Sequence, residues 1–188
     1  MAKFKYVYGT VKAGKSTALL QVVHNYEQNW MKALLIKPKR DTKGNDSVVS
    51  RLGVSRKVDY LADTGEGLHA FLHSQSCVAC VVCDEVQFLE QDCIDVLWAY
   101  CKKANVPVLA YGLRTDYTGK AFPASIRCFE LADEVEELAA LCNCGRKGRF
   151  NYKLNQENTN SAGIEDEGVD KYRPMCGQCY YESAVKGE

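Results

Sequence analysis

The sequence predicts an α/β fold, a parallel sheet flanked by helices, with a small cysteine-bearing segment after it. Three observations carry this. Short apolar runs alternate with helical patterns along residues 1–140, and such alternation requires crossovers between parallel strands covered on both faces. The stretch Gly9-Thr10-Val11-Lys12-Ala13-Gly14-Lys15-Ser16 reads G-x-x-x-x-G-K-S between a β-like run and a helical pattern, which is the setting of a phosphate loop of the P-loop NTPase type. From Cys142 the apolar content falls, and Asn, Gly and acidic residues dominate as far as Tyr172. That change places a boundary near residue 140 and divides the chain into 1–140 and 141–188.

The elements follow in order. Phe4-Lys5-Tyr6-Val7-Tyr8 reads as the first strand, and Leu19, Val22, Val23, Tyr26 and Trp30 give the helix from about Lys15 an apolar face. Ala33-Leu34-Leu35-Ile36 is a buried strand ended by Pro38, closing a βαβ unit. Residues 39–56 are polar and glycine-containing and read as a loop, followed by a weak strand over 58–61. Leu68, Phe71 and Leu72 mark a short helix. Val78-Ala79-Cys80-Val81-Val82-Cys83-Asp84-Glu85 is a central strand ending in two acids. Leu89, Cys93, Val96, Leu97, Tyr100, Cys101 and Ala104 keep helical spacing, and Val106 to Tyr111 is another buried strand, with Pro107 near its start. Residues 112–123 read as a loop. Residues 130–141 are ambiguous, with propensity favouring helix.

The chemistry of the motifs is specific. In the phosphate loop, glycines let successive N–H groups turn inward on an anion, Lys15 adds charge near the β/γ-phosphates, and Ser16 offers a hydroxyl to Mg²⁺. Asp84 at a strand's carboxyl end is the matching Mg²⁺ carboxylate, and Glu85 can accept a proton from a hydroxyl or water. Cys142 and Cys144 with Cys176 and Cys179 are two close thiol pairs, matching a tetrahedral structural zinc site; a redox dithiol at Cys176 and Cys179 is the alternative. Cys77, Cys80 and Cys83 read as buried small apolar residues, and His69 and His73 as surface residues. Phe88, Tyr117, Phe122 and Tyr172 are rings near the sheet's carboxyl edge or the cysteine segment, suited either to hold a flat base or to ordinary packing.

Composition sets the outer limits. A chain of 188 residues buries a real core, and 24 basic against 24 acidic residues leave no electrostatic footprint for nucleic acid. The N-terminus has no apolar signal region and no run is long enough to span a bilayer, so the expectation is a cytoplasmic protein without nucleic-acid or membrane partners. Ten cysteines in such a chain read as buried thiols and metal ligands rather than disulfides.

The blocks Asp84-Glu85-Val86-Gln87-Phe88-Leu89, Tyr111-Gly112-Leu113-Arg114-Thr115-Asp116-Tyr117 and Gly119-Lys120-Ala121-Phe122-Pro123, joined to the phosphate loop and the four cysteines, resemble the zinc-containing thymidine kinases nearly end to end. The resemblance implies a P-loop α/β domain with a small C-terminal zinc-bearing lasso domain, usually a homotetramer. It implies ATP, Mg²⁺ and structural Zn²⁺, and phosphorylation of the 5′-hydroxyl of thymidine. Glu85 would be the general base, Lys15 would neutralise the phosphates, and Arg51 in Ser50-Arg51-Leu52-Gly53 would lie near the transferring phosphate. Ser16 and Asp84 would hold Mg²⁺, and Gln87 would help order the site. Leu113, Phe88, Tyr117 and Phe122 would line the thymine pocket. The lasso around Gly163, Ile164, Glu165, Asp166 and Glu167 would reach the base through backbone groups, with Tyr172 as its anchor. Thymidine triphosphate is implied as a feedback inhibitor. Two departures stand out. Thr10-Val11 replaces the commoner Pro-Met, and Glu165, Asp166 and Glu167 stand where the family has small residues. A P-loop ATPase with a zinc ribbon acting on nucleic acid is the competing reading, against which the balanced charge speaks.

Overall fold

The computed structural model describes residues 1–41, 44–154 and 171–184. In chain order these form β1 (Phe4–Gly9), α1 (Lys15–Gln28), β2 (Lys32–Pro38), β3 (Ser47–Val49), β4 (Ser55–Lys57), β5 (Tyr60–Ala62), α2 (Gly65–Ser74) and β6 (Val78–Cys83). A 3₁₀ turn (Val86–Phe88), α3 (Gln91–Ala104), β7 (Val108–Gly112), α4 (Pro123–Leu131) and β8 (Glu134–Leu138) follow. The last elements are β9 (Ala140–Leu141), β10 (Lys147–Gly148), β11 (Phe150–Lys153), β12 (Tyr172–Met175) and α5 (Gly177–Ala184).

Six strands make one sheet in the order β5-β2-β6-β7-β1-β8, and every pairing in it is parallel. Both faces are buried, which is why β2 and β6 are nearly continuous apolar runs. On one face Phe4, Tyr6, Leu34, Ile36, Val81 and Cys83 pack against Leu68 and Leu72 of α2, Ile94 and Leu97 of α3, and Ala124 and Cys128 of α4. On the other, Val7, Leu35, Val82 and Tyr111 pack against Leu19, Leu20 and Val23 of α1, with Val48 of β3 covering one end. Helix ends are set locally. Thr64 caps α2 by accepting from the Gly67 N–H at 3.2 Å, Asn105 ends α3 in the left-handed conformation, and Pro123 starts α4 where no N–H is needed.

Several expectations are corrected. Trp30 lies beyond α1 at a φ of 59° and is 98% exposed, so it adds nothing to the apolar face. The loop expected over 39–56 contains the antiparallel β3–β4 hairpin. Leu89 is buried but precedes α3, after the 3₁₀ turn. Cys77 is exposed ahead of β6, whereas Cys80 and Cys83 are buried on opposite faces of the sheet. Helix α4 is not expected from the sequence, because its buried face is only Ala124, Ser125 and Cys128. The ambiguous segment that followed is the edge strand β8, not a helix. Pairing with β1 outweighs the helical preference of Glu134-Val135-Glu136-Glu137-Leu138, and Lys5 meets Glu136 at 2.6 Å across the pair. The acids of β8 also keep this edge unattractive to another strand.

After the sheet, β9 pairs with β10 and β11 with β12, both antiparallel, and α5 closes the described chain. Among the described residues the core here is Cys142, Met175 and Cys176, with Tyr152, Cys179 and Tyr180 against it. The core formed by the described residues is too small to offset the entropy of ordering them without an added staple.

Leu97 is fully buried between α3 and the sheet. Leu97→Ala is expected to cost about 2–5 kcal/mol of unfolding free energy, read from the shift of the urea midpoint.

Candidate active site

The phosphate loop leaves the carboxyl end of β1 and enters α1. Gly14 stands at a φ of 80°, a conformation that suits glycine, and a Cβ on Gly9 would lie 2.8 Å from both Ala13 Cβ and the Leu138 carbonyl oxygen. Lys15 is buried, and its Nζ donates to the carbonyls of Thr10 at 3.0 Å and Gly9 at 3.3 Å, inside the curl of the loop. The N-terminus of α1 has no acidic residue in its first turn, so its positive end is left for an anion.

Strand β6 delivers Asp84 to the same edge. Ser16 Oγ lies 3.4 Å from Asp84 Oδ2, and the Asp84 N–H donates to Ile36 O at 2.9 Å. Asp84 is buried, and burial pushes its carboxyl up to about 7; the Glu85 charge pushes the same way and the Lys15 ammonium opposes them. Two hard oxygen donors at this spacing, one a carboxylate costly to keep ionised alone, suit Mg²⁺. They line an open cleft with Glu85, Lys37, Asp41, Ser47, Val48 and Val49.

Glu85 sits at φ 49°, ψ 40°, a left-handed conformation that costs a non-glycine residue energy. Gln87 compensates. It is buried, its Nε2 donates to Glu85 Oε2 at 2.5 Å, and its Oε1 accepts from the Leu113 N–H at 2.9 Å. One amide thus fixes the carboxylate and the start of the loop after β7. The Leu113 carbonyl is held in turn by Tyr6 Oη at 3.0 Å and Ser125 Oγ at 2.6 Å. Beyond it, Asp116 Oδ1 accepts from the N–H groups of Thr118 and Lys120, at 2.8 and 3.1 Å. The rings come in two pairs: Phe88 edge-on to Phe122 at 5.9 Å, and Tyr117 beside Tyr172 at 6.1 Å. Phe88 and Tyr117 stay substantially exposed, so their faces are accessible.

Cys142, Cys144, Cys176 and Cys179 converge, their sulfurs all within 4.8 Å of one another. Cys144 and Cys176 Sγ are 3.6 Å apart, close to the ~3.8 Å edge of a tetrahedron with Zn–S of about 2.3 Å. The backbone N–H groups of Cys144 and Cys176 hold the Cys142 thiol down to about 6, while hydrogen bonds to its neighbours, Cys176 first, push Cys179 up to about 12. Four sulfurs this close do not all ionise without a cation, so the donor set fits a divalent metal.

Arg51 is not among the residues that line the cleft. Arg51 is on the exposed turn between β3 and β4, while the cleft takes Ser47, Val48 and Val49 from that hairpin. Gly163, Ile164, Glu165, Asp166 and Glu167 lie outside the described residues. The structure adds residues that the sequence reading does not single out, Lys37, Asp41 and Asn151 among them. Lys37, 1% exposed, lies at the end of β2 and pairs with Asp41 at 3.2 Å beside the cleft; a lysine closing an apolar strand, with an acid four residues on, was the available signal. Asn151 in β11 accepts from the Val11 N–H of the phosphate loop at 2.9 Å and donates to the Thr115 carbonyl at 2.9 Å. No sequence signal marked it, because both partners are backbone groups distant in the chain.

The fold and the loop together define a protein of the P-loop NTPase type. A model of the thymidine kinase family matches residues 2–180. The thymidine kinase of Agrobacterium fabrum is 39% identical over 190 residues, spanning 97% of this chain and 98% of that protein. That of Chromobacterium violaceum is 34% identical over 185 residues, 96% and 99% of the two chains, and that of Enterobacteria phage T4 36% over 162 residues, 85% and 84%. This chain belongs to the thymidine kinase family. Among solved structures, the Thermotoga maritima RuvB branch migration motor aligns at a TM-score of 0.45 and 12% identity over 76% of this chain and 40% of that one, too weak a likeness to carry an inference.

The raised Asp84 carboxyl has a sign that can be checked. Its folded pKa lies above the ordinary value, so metal-free protein loses stability as pH rises from about 4 through about 7. Asp84→Asn escapes that loss. It is expected to melt about 2–4 °C above wild type for each kcal/mol relieved at about pH 8, with the gain fading toward about pH 4, in Mg²⁺-free scanning calorimetry.

Proposed function

We propose that this chain transfers the γ-phosphate of ATP to the 5′-hydroxyl of thymidine, producing thymidine monophosphate for DNA synthesis. Membership of the family supports the substrate. The observation that carries the chemistry is the Glu85–Gln87–Leu113 link, which orients a carboxylate between the phosphate loop and a loop flanked by accessible rings. Glu85 takes the proton of the 5′-hydroxyl as its oxygen bonds to the γ-phosphorus. The bond from that phosphorus to the β–γ bridging oxygen breaks, and ADP leaves.

The N–H groups of Gly9 to Ser16 and the Lys15 ammonium bind the phosphates; Arg51, on the exposed β3–β4 turn outside the cleft lining, would have to move in to meet the transferring group, a role supported by the family resemblance alone. Ser16 and Asp84 would hold Mg²⁺, which supplies charge neutralisation on the phosphates. Phe88, Leu113, Tyr117 and Phe122 receive the base, with Tyr172 beside Tyr117; the family resemblance supports a role in base binding for residues 163–167, which lie outside the described residues. The four cysteines would hold Zn²⁺ as a structural ion, and residues 1–140 and 141–188 form the two domains. The family resemblance further supports a homotetramer, feedback inhibition by thymidine triphosphate and a cytoplasmic location. No helix among the described residues is long and apolar enough to cross a membrane.

Transfer of labelled γ-phosphate from ATP to each member of a nucleoside panel tests the reading. Thymidine is expected to be the preferred acceptor, and failure with every nucleoside would overturn it. Glu85→Gln should lower kcat at least ~100-fold while ATP binding persists. Purified protein should carry about one zinc per chain, lost with Cys176→Ser, and iron in its place would refute the assignment.

A further inference from the structure

We propose that Asn151 is a positioning residue for phosphoryl transfer: its one amide sets the phosphate loop and the loop after β7 relative to each other and ties both to the cysteine-held hairpin. The inference deepens the proposed function and rests on it for the identity of the acceptor. Asn151 is 4% exposed and uses both ends of its side chain. Oδ1 accepts from the Val11 N–H, and Nδ2 donates to the Thr115 carbonyl, each at 2.9 Å. The Val11 amide is therefore turned toward Asn151, and the loop's third residue is fixed from outside the loop. Only a side chain with an acceptor and a donor on one rigid plane serves both partners; an apolar side chain there would leave two backbone groups unpaired.

The position of Asn151 in the fold gives these bonds their consequence. Gln87 pins the loop after β7 at Leu113, from the side of Glu85. Asn151 pins the same loop at Thr115, from the side of the phosphate loop, where Thr115 bridges to Ala121 and so closes the stretch carrying Tyr117. Donor and acceptor supports are thus locked across a single side chain. Asn151 belongs to β11, which is paired along its length with β12, and β12 runs directly into Cys176. A second bond from the same unit, Tyr180 Oη to the Tyr117 carbonyl at 2.7 Å, holds the loop further along. Through these contacts the hairpin that carries the cysteine cluster braces the spacing of the reacting groups from outside the substrate sites, and small errors in that spacing are costly to rate.

The test uses the full metal-loaded chain. Asn151→Leu, which removes both bonds, is expected to keep its zinc and fold, yet lose about ten-fold or more in kcat. Asn151→Asp keeps the acceptor for Val11 and loses the donor to Thr115. It should raise KM for thymidine about ten-fold and leave KM for ATP within about two-fold, a split that a purely structural role would not produce. Folded variants with kcat and both KM values within about two-fold of wild type would overturn the proposal. Hydrogen exchange on the unmutated protein covers the case in which the variants do not fold. The Val11 amide should be protected without nucleotide and exchange at least about ten-fold faster after zinc is chelated. Unchanged exchange would sever the proposed tie. If no nucleoside is phosphorylated, the functional reading fails by itself, and the exchange experiment still decides whether Asn151 holds the phosphate loop.

Discussion

Asp84 is a carboxyl held almost out of solvent at the end of an apolar strand, within 3.4 Å of the first hydroxyl of α1. Such a group is expensive to charge, and its carboxyl is driven up to about 7 by burial. The surrounding architecture tolerates it because the parallel sheet sets three features at one edge: the carboxyl end of β1, the positive start of α1 and the end of β6. The expense becomes useful when a divalent cation and a polyphosphate arrive, since both meet partners already in place.

Around this charge the protein uses few but well-placed amides. Gln87 holds the carboxylate of the strained Glu85 and grips the backbone of Leu113, and Asn151 faces the phosphate loop from the opposite side. These bonds join segments that no hydrophobic packing would align, because loops present mainly backbone polar groups at the edge of the sheet. The cysteine cluster matters for the same reason. Among the described residues, the unit that supplies Asn151 and Tyr180 has a core of three buried side chains, too little to make these residues rigid alone.

The legible part of the fold is the part encoded locally. The apolar runs of β2, β6 and β7 and the spacing along α1 and α3 carry their own periodicity, so the parallel α/β plan could be read from them. Where period and context disagreed, context won. Residues 134–138 favour helix by composition and form a strand because an unpaired edge of β1 lies beside them with lysines to match their acids. Helix α4 shows too small an apolar face to stand out, and the β3–β4 hairpin is too short to leave a pattern.

The sequence by itself determined the chemistry: a phosphate loop, a carboxylate pair and four thiols are recognisable because each function depends on residue types at close spacing. Only the tertiary structure decided how these parts are wired. It placed Lys37 and Asp41 beside the cleft, set Gln87 against Glu85, and brought Asn151 from the cysteine-held hairpin to the phosphate loop. The reason is physical. A side chain that bonds to backbone N–H and C=O groups leaves no mark on its partners' identity, so such contacts exist in the fold alone.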